Sequence, residues 1–257
     1  GSVSVYKRQD LDGVFSGLLL EEEAQRSNFL NFDSLGYNYG ESFDLDNILS
    51  YDQVWIADVC FDIQTMLKIA QKSKLVWFDH HASAYQDYLK LRKEFEEAGA
   101  EIYFPDLSDW NHSATDVIWR HRTGEYPTYQ NQKLYYLLGR YDIFDKSDMD
   151  LWNNEILPLQ RFLNVFISSP KDFIDLKLSI PSIEVWIEMG KKIIEKERKN
   201  AQKNYSKLFY REFRGKKVLV STVGKSVLDF YFLENPNCAD FLATMQISGD
   251  GYIYGFY

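Results

Sequence analysis

The segment Leu75-Val76-Trp77-Phe78-Asp79-His80-His81 is the part of the sequence that says most about the fold, because an acid and two imidazoles directly follow an apolar run. Short runs of β-branched and aromatic residues that end in polar residues are typical of buried parallel strands. The run Val54-Trp55-Ile56-Ala57, followed by Asp58, repeats this arrangement. Because parallel strands end at one edge of a sheet, we expect these polar side chains to meet there.

Apolar runs alternate with helical patterns through the first two-thirds of the chain. Strands are predicted at residues 3–6, 30–32, 53–57, 74–78 and 100–103. Helices are predicted at residues 14–26, 63–71, 85–97, 115–121 and 131–138, from apolar residues at i, i+3 and i+4 spacing. This alternation predicts an α/β fold with a doubly wound, mainly parallel sheet.

Three segments are predicted along the chain. Residues 1–180 form the main α/β domain, and residues 181–214 form a connector helix that runs to about residue 213. Residues 215–257 form part of a smaller α/β domain, with strands at 217–223, 241–247 and 252–257. About forty residues make a marginal core, so we expect this second domain to be incomplete.

Composition excludes several classes of protein. The 257 residues are 45% hydrophobic and 26% charged, with no apolar run long enough to span a bilayer. The first residues lack a basic region followed by an apolar stretch, so we expect no signal peptide. Two distant cysteines, Cys60 and Cys238, predict neither a disulfide framework nor a cysteine zinc site. A net charge of -9 argues against binding to duplex DNA. We therefore expect a cytoplasmic protein without a membrane partner.

One segment departs from this acidic balance. Residues 191–217 contain eleven Lys or Arg and three Glu. Such a stretch can guide single-stranded nucleic acid, because neutralising the backbone requires only basic side chains. The alternative interpretation is a solvated connector helix with i, i+4 ion pairs.

Acids and imidazoles recur at the predicted strand ends, and Asp142, which follows Gly139-Arg140-Tyr141, is taken as one of four such positions. The candidate ligands share hard oxygen or borderline nitrogen donors and include no thiolate: Asp10, Asp12, Asp58, His80, His81 and Asp142. Such a set suits Mn²⁺ or Mg²⁺, with Co²⁺ or Fe²⁺ as alternatives. Two such ions about 3.5–4 Å apart form a clamp for phosphoester hydrolysis. A carboxylate at a strand end is also a common helix N-cap, so the prediction rests on the joint pattern.

These motifs, in their order and spacing, resemble those of the DHH phosphoesterase family. The resemblance rests on Asp10-Leu11-Asp12-Gly13, Asp58, Asp79-His80-His81 and Asp142, and it covers residues 10–145 closely. Ser113-Ala114-Thr115 also looks like the Ser-Ala-Thr helix start of that family. The family includes RecJ-like exonucleases, nano-RNA and cyclic-dinucleotide phosphodiesterases, and exopolyphosphatase-like members.

The resemblance implies a role for each metal ligand. Asp58 would bridge two Mn²⁺ ions, and Asp10 would serve the first ion. The second ion would take a set of three ligands: Asp12, His80 and Asp142.

Two further roles follow from the resemblance. His81 would face the scissile phosphate and stabilise the charge that develops on it. Asp79 would orient the imidazoles, as metal-binding histidines usually require. The alternative for Asp79 is simple capping of the loop.

The chain departs from the family pattern in two places. The first motif normally begins with a His two residues before its first Asp, where this sequence has Arg8. The Gly-Gly-His motif of the family's C-terminal substrate-binding module does not occur in the sequence. We therefore expect a chain that is truncated at both ends.

The expected function is Mn²⁺-dependent hydrolysis of phosphodiesters in short oligonucleotides or dinucleotides. The same site also suits polyphosphate or a nucleotide 3′-phosphate, and Arg8 leaves open a degenerate binding domain without catalysis. The expected partner is a small phosphorylated molecule or a short single strand. The sequence determines neither the phosphoester, nor the polarity of exonuclease action, nor the oligomeric state.

Overall fold

The computed structural model describes residues 1–7, 9–29, 31–38, 40–248 and 251–256. Arg8, Leu30 and Tyr257, which enter the predictions above, lie outside the described residues. The chain divides into two compact units, Gly1–Glu188 and Met189–Tyr257.

The first unit alternates strands and helices through its first half and is helical thereafter. Its strands are β1 (Ser2–Lys7), β2 (Asn31–Gly36), β3 (Gln53–Ala57), β4 (Lys74–Phe78) and β5 (Glu101–Tyr103). The helices between them are α1 (Leu11–Arg26), α2 (Leu45–Ile48), α3 (Ile63–Lys72), α4 (Ala82–Lys90) and α5 (Arg92–Glu97). After β5 come α6 (Ala114–Thr123), α7 (Lys133–Asp142), α8 (Met149–Leu151), a π-helical segment (Trp152–Ile156), α9 (Leu157–Phe166) and α10 (Pro170–Ser179).

A five-stranded parallel sheet organises this unit, in the order β2-β1-β3-β4-β5. The chain moves outward from β1 to β2 and then returns to place β3 on the other side of β1. The carboxyl ends of β1 and β3 therefore flank the point where the strand order reverses, which is where open α/β sheets bind ligands. The predicted fold class is confirmed.

Helices cover both faces of the sheet, because side chains alternate along each buried strand. Val54 and Ile56 of β3 pack into a core that includes Met66 and Ile69 of α3. Trp55 of β3 points the other way, into a core formed with helices α1 and α6. Two buried faces explain why the strands read as continuous apolar runs.

One predicted helix is interrupted. The pattern at residues 85–97 predicts a single helix, but α4 ends at Lys90 and α5 begins at Arg92. Leu91 between them has φ -125° and ψ 21°, which departs from helical geometry and interrupts the helix. Among the described residues, no helix combines the length and the apolar character needed to cross a membrane.

The helix α11 (Ile183–Gln202) contains the boundary between the two units. A 3₁₀ turn (Tyr205–Lys207) follows it, and then β6 (Leu208–Phe213), β7 (Lys216–Ser221), α12 (Lys225–Glu234), β8 (Phe241–Ser248) and β9 (Gly251–Phe256). These strands form a mixed sheet in the order β6-β7-β8-β9.

The predicted connector helix to about residue 213 is wrong beyond Gln202. The segment Leu208–Phe213 is a strand that pairs antiparallel with β7, with Phe213 opposite Lys216. The two residues between the strands, Arg214 and Gly215, both have positive φ, at 51° and 73°. Such a turn matches the twist of a hairpin, so pairing with β7 overrides the helical tendency of the basic residues.

Candidate metal centre

Asp58 begins the site at the end of β3. Its backbone N–H donates to the carbonyl of Phe78 at 3.0 Å, which extends the strand pairing by one residue. Its φ is 58°, in the left-handed region, and its side chain is fully buried. A non-glycine residue in this conformation carries backbone strain, and such strain concentrates at functional sites.

Asp79 organises the turn between β4 and α4 from a fully buried position. Its Oδ1 accepts hydrogen bonds from the backbone N–H groups of His80 and His81, at 2.7 and 3.0 Å. The same oxygen lies 2.7 Å from Nδ1 of the His81 imidazole, and Oδ2 accepts from the Trp77 indole at 3.3 Å. Asp79 therefore fixes both the loop and the orientation of the His81 ring.

His80 lies between two carboxylates. Its Nε2 is 3.2 Å from Oδ1 of Asp58 and 3.3 Å from Oδ2 of Asp142. The backbone carbonyl of His80 accepts a hydrogen bond from the Trp110 indole at 2.7 Å, which anchors the residue from the other side. One imidazole nitrogen thus links acids that are 84 residues apart in the chain.

The described residues contain two groups with ligand atoms within 4.8 Å of one another: Asp12, His80 and Asp142, and Asp58, His80 and His81. The first group contains the three residues that the family resemblance assigns to the second ion. The two groups share His80. The roles of the individual ligands remain predictions.

Asp12 is held by the start of α6. Its carboxylate accepts hydrogen bonds from the backbone N–H groups of Ala114 and Thr115, at 3.0 and 3.3 Å. The Thr115 hydroxyl donates to the backbone carbonyl of Asp12 at 3.0 Å and also contacts the Ser16 hydroxyl. Ser113 caps α6 and closes a capping box with Asp116. The Ser-Ala-Thr sequence thus positions a buried acid at the N-terminus of a helix, where negative charge is favoured.

Asp10 belongs to neither of the two groups found among the described residues. It is the N-cap of α1, and its Oδ1 accepts from the backbone N–H of Gly13 at 3.0 Å. It lines the same cavity as Asp12 and Asp142. Asp10 therefore lies beside the centre, and its predicted role as a ligand remains a prediction.

The centre concentrates negative charge in a buried place. Burial raises the pKa of Asp142 to about 9, and the negative charges of Asp12, Asp58 and Asp10 act in the same direction. Burial also raises the pKa of Asp12, against the opposing effect of the His80 imidazole and hydrogen bonds from Thr115 and Ser113. These acids therefore resist ionising together without a compensating positive charge.

A divalent cation fits this arrangement. The donors are carboxylate oxygens and an imidazole nitrogen, which are the ligands of Mn²⁺ and Mg²⁺ sites. A bound cation supplies the positive charge that lets the acids ionise together. Oδ2 of Asp142 makes no hydrogen bond within the described part of the chain, although it lies 3.3 Å from the imidazole. Both the donor chemistry and the electrostatics therefore match a metal site.

Two supporting features were missed by sequence reasoning. The buried Asp116 forms an ion pair with Arg140 of α7 at 3.3 Å and packs against Gly139, which leaves no room for a side chain. Lys7, at the end of β1, is buried, which lowers its pKa, while the negative charge of Asp10 acts in the opposite direction. The Gly139-Arg140 pair before Asp142 was a usable signal for the first feature, whereas a Lys at a strand end gave none for the second.

No protein-family model matches the chain, and no curated protein sequence matches it. Several solved structures do match. RecJ exonuclease bound to manganese is 9% identical, with a TM-score of 0.48, over 96% of this chain and 75% of the other. RecJ from Thermus thermophilus in complex with Mn²⁺ is 10% identical, with a TM-score of 0.41, over 95% and 43%.

A DHH-domain protein described as a member of a family of ribosomal proteins is 10% identical, with a TM-score of 0.36, over 99% and 73%. DHH-domain proteins are therefore among the solved structures that this chain resembles. Identities of about 10% and TM-scores below 0.5 do not carry an assignment of function. That assignment rests on the side chains described above.

Proposed function

We propose that the chain is a metal-dependent phosphoesterase with a DHH-type site, which hydrolyses phosphodiesters of short oligonucleotides or dinucleotides with two Mn²⁺ ions. The observation that carries the proposal is the position of His80, shared by two groups of ligands drawn from β3, β4 and helices α1 and α7 or the turns beside them. These ligands come from distant parts of the chain and meet at the switch point of the sheet. Their meeting there favours the interpretation as a functional centre over the interpretation as local helix caps.

A first set of residues would hold the metal ions. Asp12, Asp58, His80 and Asp142 would hold the ions, with Asp10 as a further ligand. When bound, divalent cations activate water and stabilise negative charge on the phosphoryl oxygens.

His81 would hold the substrate phosphate. Because Nδ1 donates to the Asp79 carboxylate, Nε2 is the nitrogen that would face the substrate. With a proton on both ring nitrogens, Nε2 would donate a hydrogen bond to a phosphoryl oxygen. His81 is thereby suited to stabilise the charge that develops during hydrolysis.

Cleavage of a labelled RNA trinucleotide tests the proposal. The full chain would be assayed with Mn²⁺, Mg²⁺, Co²⁺ and EDTA, beside Asp58→Asn and the matched control Asp52→Asn, an exposed acid at the opposite edge of the sheet. We expect Mn²⁺-dependent release of mononucleotides that Asp58→Asn abolishes and Asp52→Asn preserves. An Arg8→His variant would measure what the departure from the family motif costs.

Parallel arms separate the competing interpretations. Polyphosphate and a nucleoside 3′-phosphate would be offered under the same conditions, and Mn²⁺ binding would be followed by calorimetry. Preferential cleavage of either compound would replace the oligonucleotide assignment. Mn²⁺ binding without cleavage of any substrate, by the chain and by Arg8→His alike, would support a binding domain without catalysis.

A further inference from the structure

A cavity of about 250 Å³ adjoins the metal centre. Three of its lining residues are acids of the site: Asp10, Asp12 and Asp142. The remainder of its wall is largely apolar and includes Leu138, Tyr141 and Phe144. A ligand in this cavity would meet both the charged centre and an aromatic surface.

Phe144 occupies a backbone position that normally belongs to glycine. Helix α7 ends in a Schellman motif, in which Asp145 N–H donates to the Arg140 carbonyl at 2.9 Å and Phe144 N–H donates to the Tyr141 carbonyl at 3.0 Å. Phe144 is therefore the residue just after the helix cap, and its φ is 54°. Glycine is the usual residue here because it has no Cβ to clash in the left-handed conformation.

Packing within the unit does not explain why phenylalanine occupies this position. The Phe144 side chain remains 67% exposed, so it buries little apolar area in return for the strained backbone. Its ring lies 6.0 Å from Tyr141 and 6.3 Å from Trp152, measured between ring centroids. Tyr141 itself stacks on Trp152 at 5.5 Å with an interplanar angle of 7°. Phe144 is thus supported from behind by two rings and presents its other surface to the solvent.

Gln160 of α9 adds a polar group to the same cavity. Its side-chain amide makes no hydrogen bond to another residue in the part of the chain that the structure describes, although the residue is buried. A primary amide offers both donors and an acceptor, the pairing groups that read the edge of a nucleobase. The cavity therefore combines a surface for stacking with a group for hydrogen bonding.

We propose that this cavity is a nucleobase subsite, in which a substrate base stacks on Phe144 while its phosphate reaches the metal centre. The inference rests on the proposed phosphoesterase function and specifies the residues that would recognise the base of its nucleotide substrate. Stacking on aromatic rings tolerates every base, so Phe144 would provide affinity without strong sequence preference. Gln160 would add a modest preference through the base edge.

Paired substrates test this subsite. One is an RNA trinucleotide, and the other is a trinucleotide of the same charge whose bases are replaced by abasic sites. They would be cleaved by the chain, by Phe144→Ala, by Phe144→Tyr, and by the matched control Phe166→Ala, which removes another exposed ring that does not line the cavity. We expect Phe144→Ala to raise KM for the RNA roughly tenfold and to leave KM for the abasic substrate unchanged. Phe144→Tyr should restore the KM of the original chain.

A binding arm does not depend on catalysis. AMP and ribose 5-phosphate would be titrated into the chain and into Phe144→Ala in the presence of Mn²⁺. The subsite predicts roughly tenfold tighter binding of AMP by the original chain and similar binding of both ligands by the variant.

The outcomes distinguish the two proposals. Equal KM for both trinucleotides, or an equal loss in Phe144→Ala and Phe166→Ala, would overturn the subsite and leave the phosphoesterase intact. Equal binding of AMP and ribose 5-phosphate by the original chain would overturn the subsite even without turnover. If neither trinucleotide is cleaved although AMP binds tightly through Phe144, the proposed reaction fails and the base subsite stands.

Discussion

The two edges of the parallel sheet differ in their charged side chains: the amino edge has an exposed ion pair, and the carboxyl edge has buried acids. At the amino edge, Lys74 begins β4 and pairs with Glu101, which begins β5, at 2.6 Å. Both side chains are more than a third exposed. At the carboxyl edge, Asp58 and Asp79 are fully buried, and burial and neighbouring acids raise the pKa of Asp142 to about 9.

This difference indicates that the carboxyl edge is the one that binds a ligand. An ion pair between solvent-exposed side chains contributes little to the free energy of folding. The charges at the amino edge therefore compensate each other without a bound ligand. Buried acids that repel one another cost free energy unless a cation or a proton offsets them. A folded chain has no structural need for such a cluster, and its presence at the switch point of the sheet marks a site where function opposes stability.

The largest expected effect is stabilisation by metal. A ligand that binds only the folded state at one hundred times its Kd adds about 2.7 kcal/mol, which raises the Tm of a domain of this size by roughly 5–10 °C. We expect Mn²⁺ to do so for the chain and for Asp52→Asn, and EDTA to reverse it. Asp58→Asn should lose most of the Mn²⁺ effect, while its metal-free form unfolds at the same temperature or higher. An equal Mn²⁺ shift in both variants would place the metal elsewhere.

A second expected effect is a dependence on pH that belongs to Asp142. A carboxyl whose folded-state pKa lies above its unfolded value of about 3.9 retains its proton on folding, so its contribution to stability is lost as pH rises from about 4 to about 9. The slope from one proton is at most about 1.4 kcal/mol per pH unit.

Chemical denaturation in EDTA, repeated across this pH range, measures the effect. Asp142→Asn removes the titrating group, so its free energy of unfolding should rise relative to that of the original chain as pH increases. With Mn²⁺ the original chain should instead gain stability toward higher pH, because the cation binds the ionised carboxylate. Parallel pH curves in EDTA for the two proteins would contradict the raised pKa.

The sequence predicted the parallel sheet well for a physical reason. Strands buried on both faces are continuous apolar runs, and the predicted bounds of β3 and β4 match the structure at both ends. The same property predicted that Asp58 and Asp79 lie at one edge. Where a strand is largely exposed, as in β6, its residues do not form a buried apolar run and pairing with β7 decides the structure.

The site was only partly predictable. Asp12, Asp58, His80 and Asp142 were named from strand ends and motif order, and the structure brings their side chains together around His80. The prediction that Asp142 follows a strand is wrong, because it is the last residue of α7. Asp10 was named by the same reasoning; it caps α1, and its role as a ligand stays a prediction. Gln160 had no signal in the sequence, because a polar residue within an amphipathic helix does not reveal which cavity it lines.

A third expected effect comes from the packing behind Asp142. Asp116 is a buried acid at the same edge, and its Oδ2 accepts hydrogen bonds from the Arg140 guanidinium and the Ser113 backbone N–H at 3.3 Å each. A Cβ at Gly139 would lie 2.6 Å from the Asp116 carboxylate, so Gly139→Ala should cost about 1–3 kcal/mol and displace α7.

A double-mutant cycle with Asp116→Ala separates this clash from a general loss of helix packing. In the Asp116→Ala background the carboxylate is absent, so Gly139→Ala should cost clearly less, as followed by urea denaturation. Mn²⁺ affinity should fall in Gly139→Ala, because α7 carries Asp142. An unchanged cost in both backgrounds would show that the close approach to Asp116 is not the cause.

The smallest expected effect is at the amino edge. Lys74→Ala removes a pair of exposed charges 2.6 Å apart, and such pairs contribute about 0–1 kcal/mol, less at high salt. We expect a change in the free energy of unfolding of about 0.5 kcal/mol, with no change in Mn²⁺ affinity or in cleavage, and a similar result for Glu101→Gln. A shift in Mn²⁺ affinity in either variant would contradict the contrast between the edges, because a charge at the amino edge would then act on the metal centre through the length of the sheet.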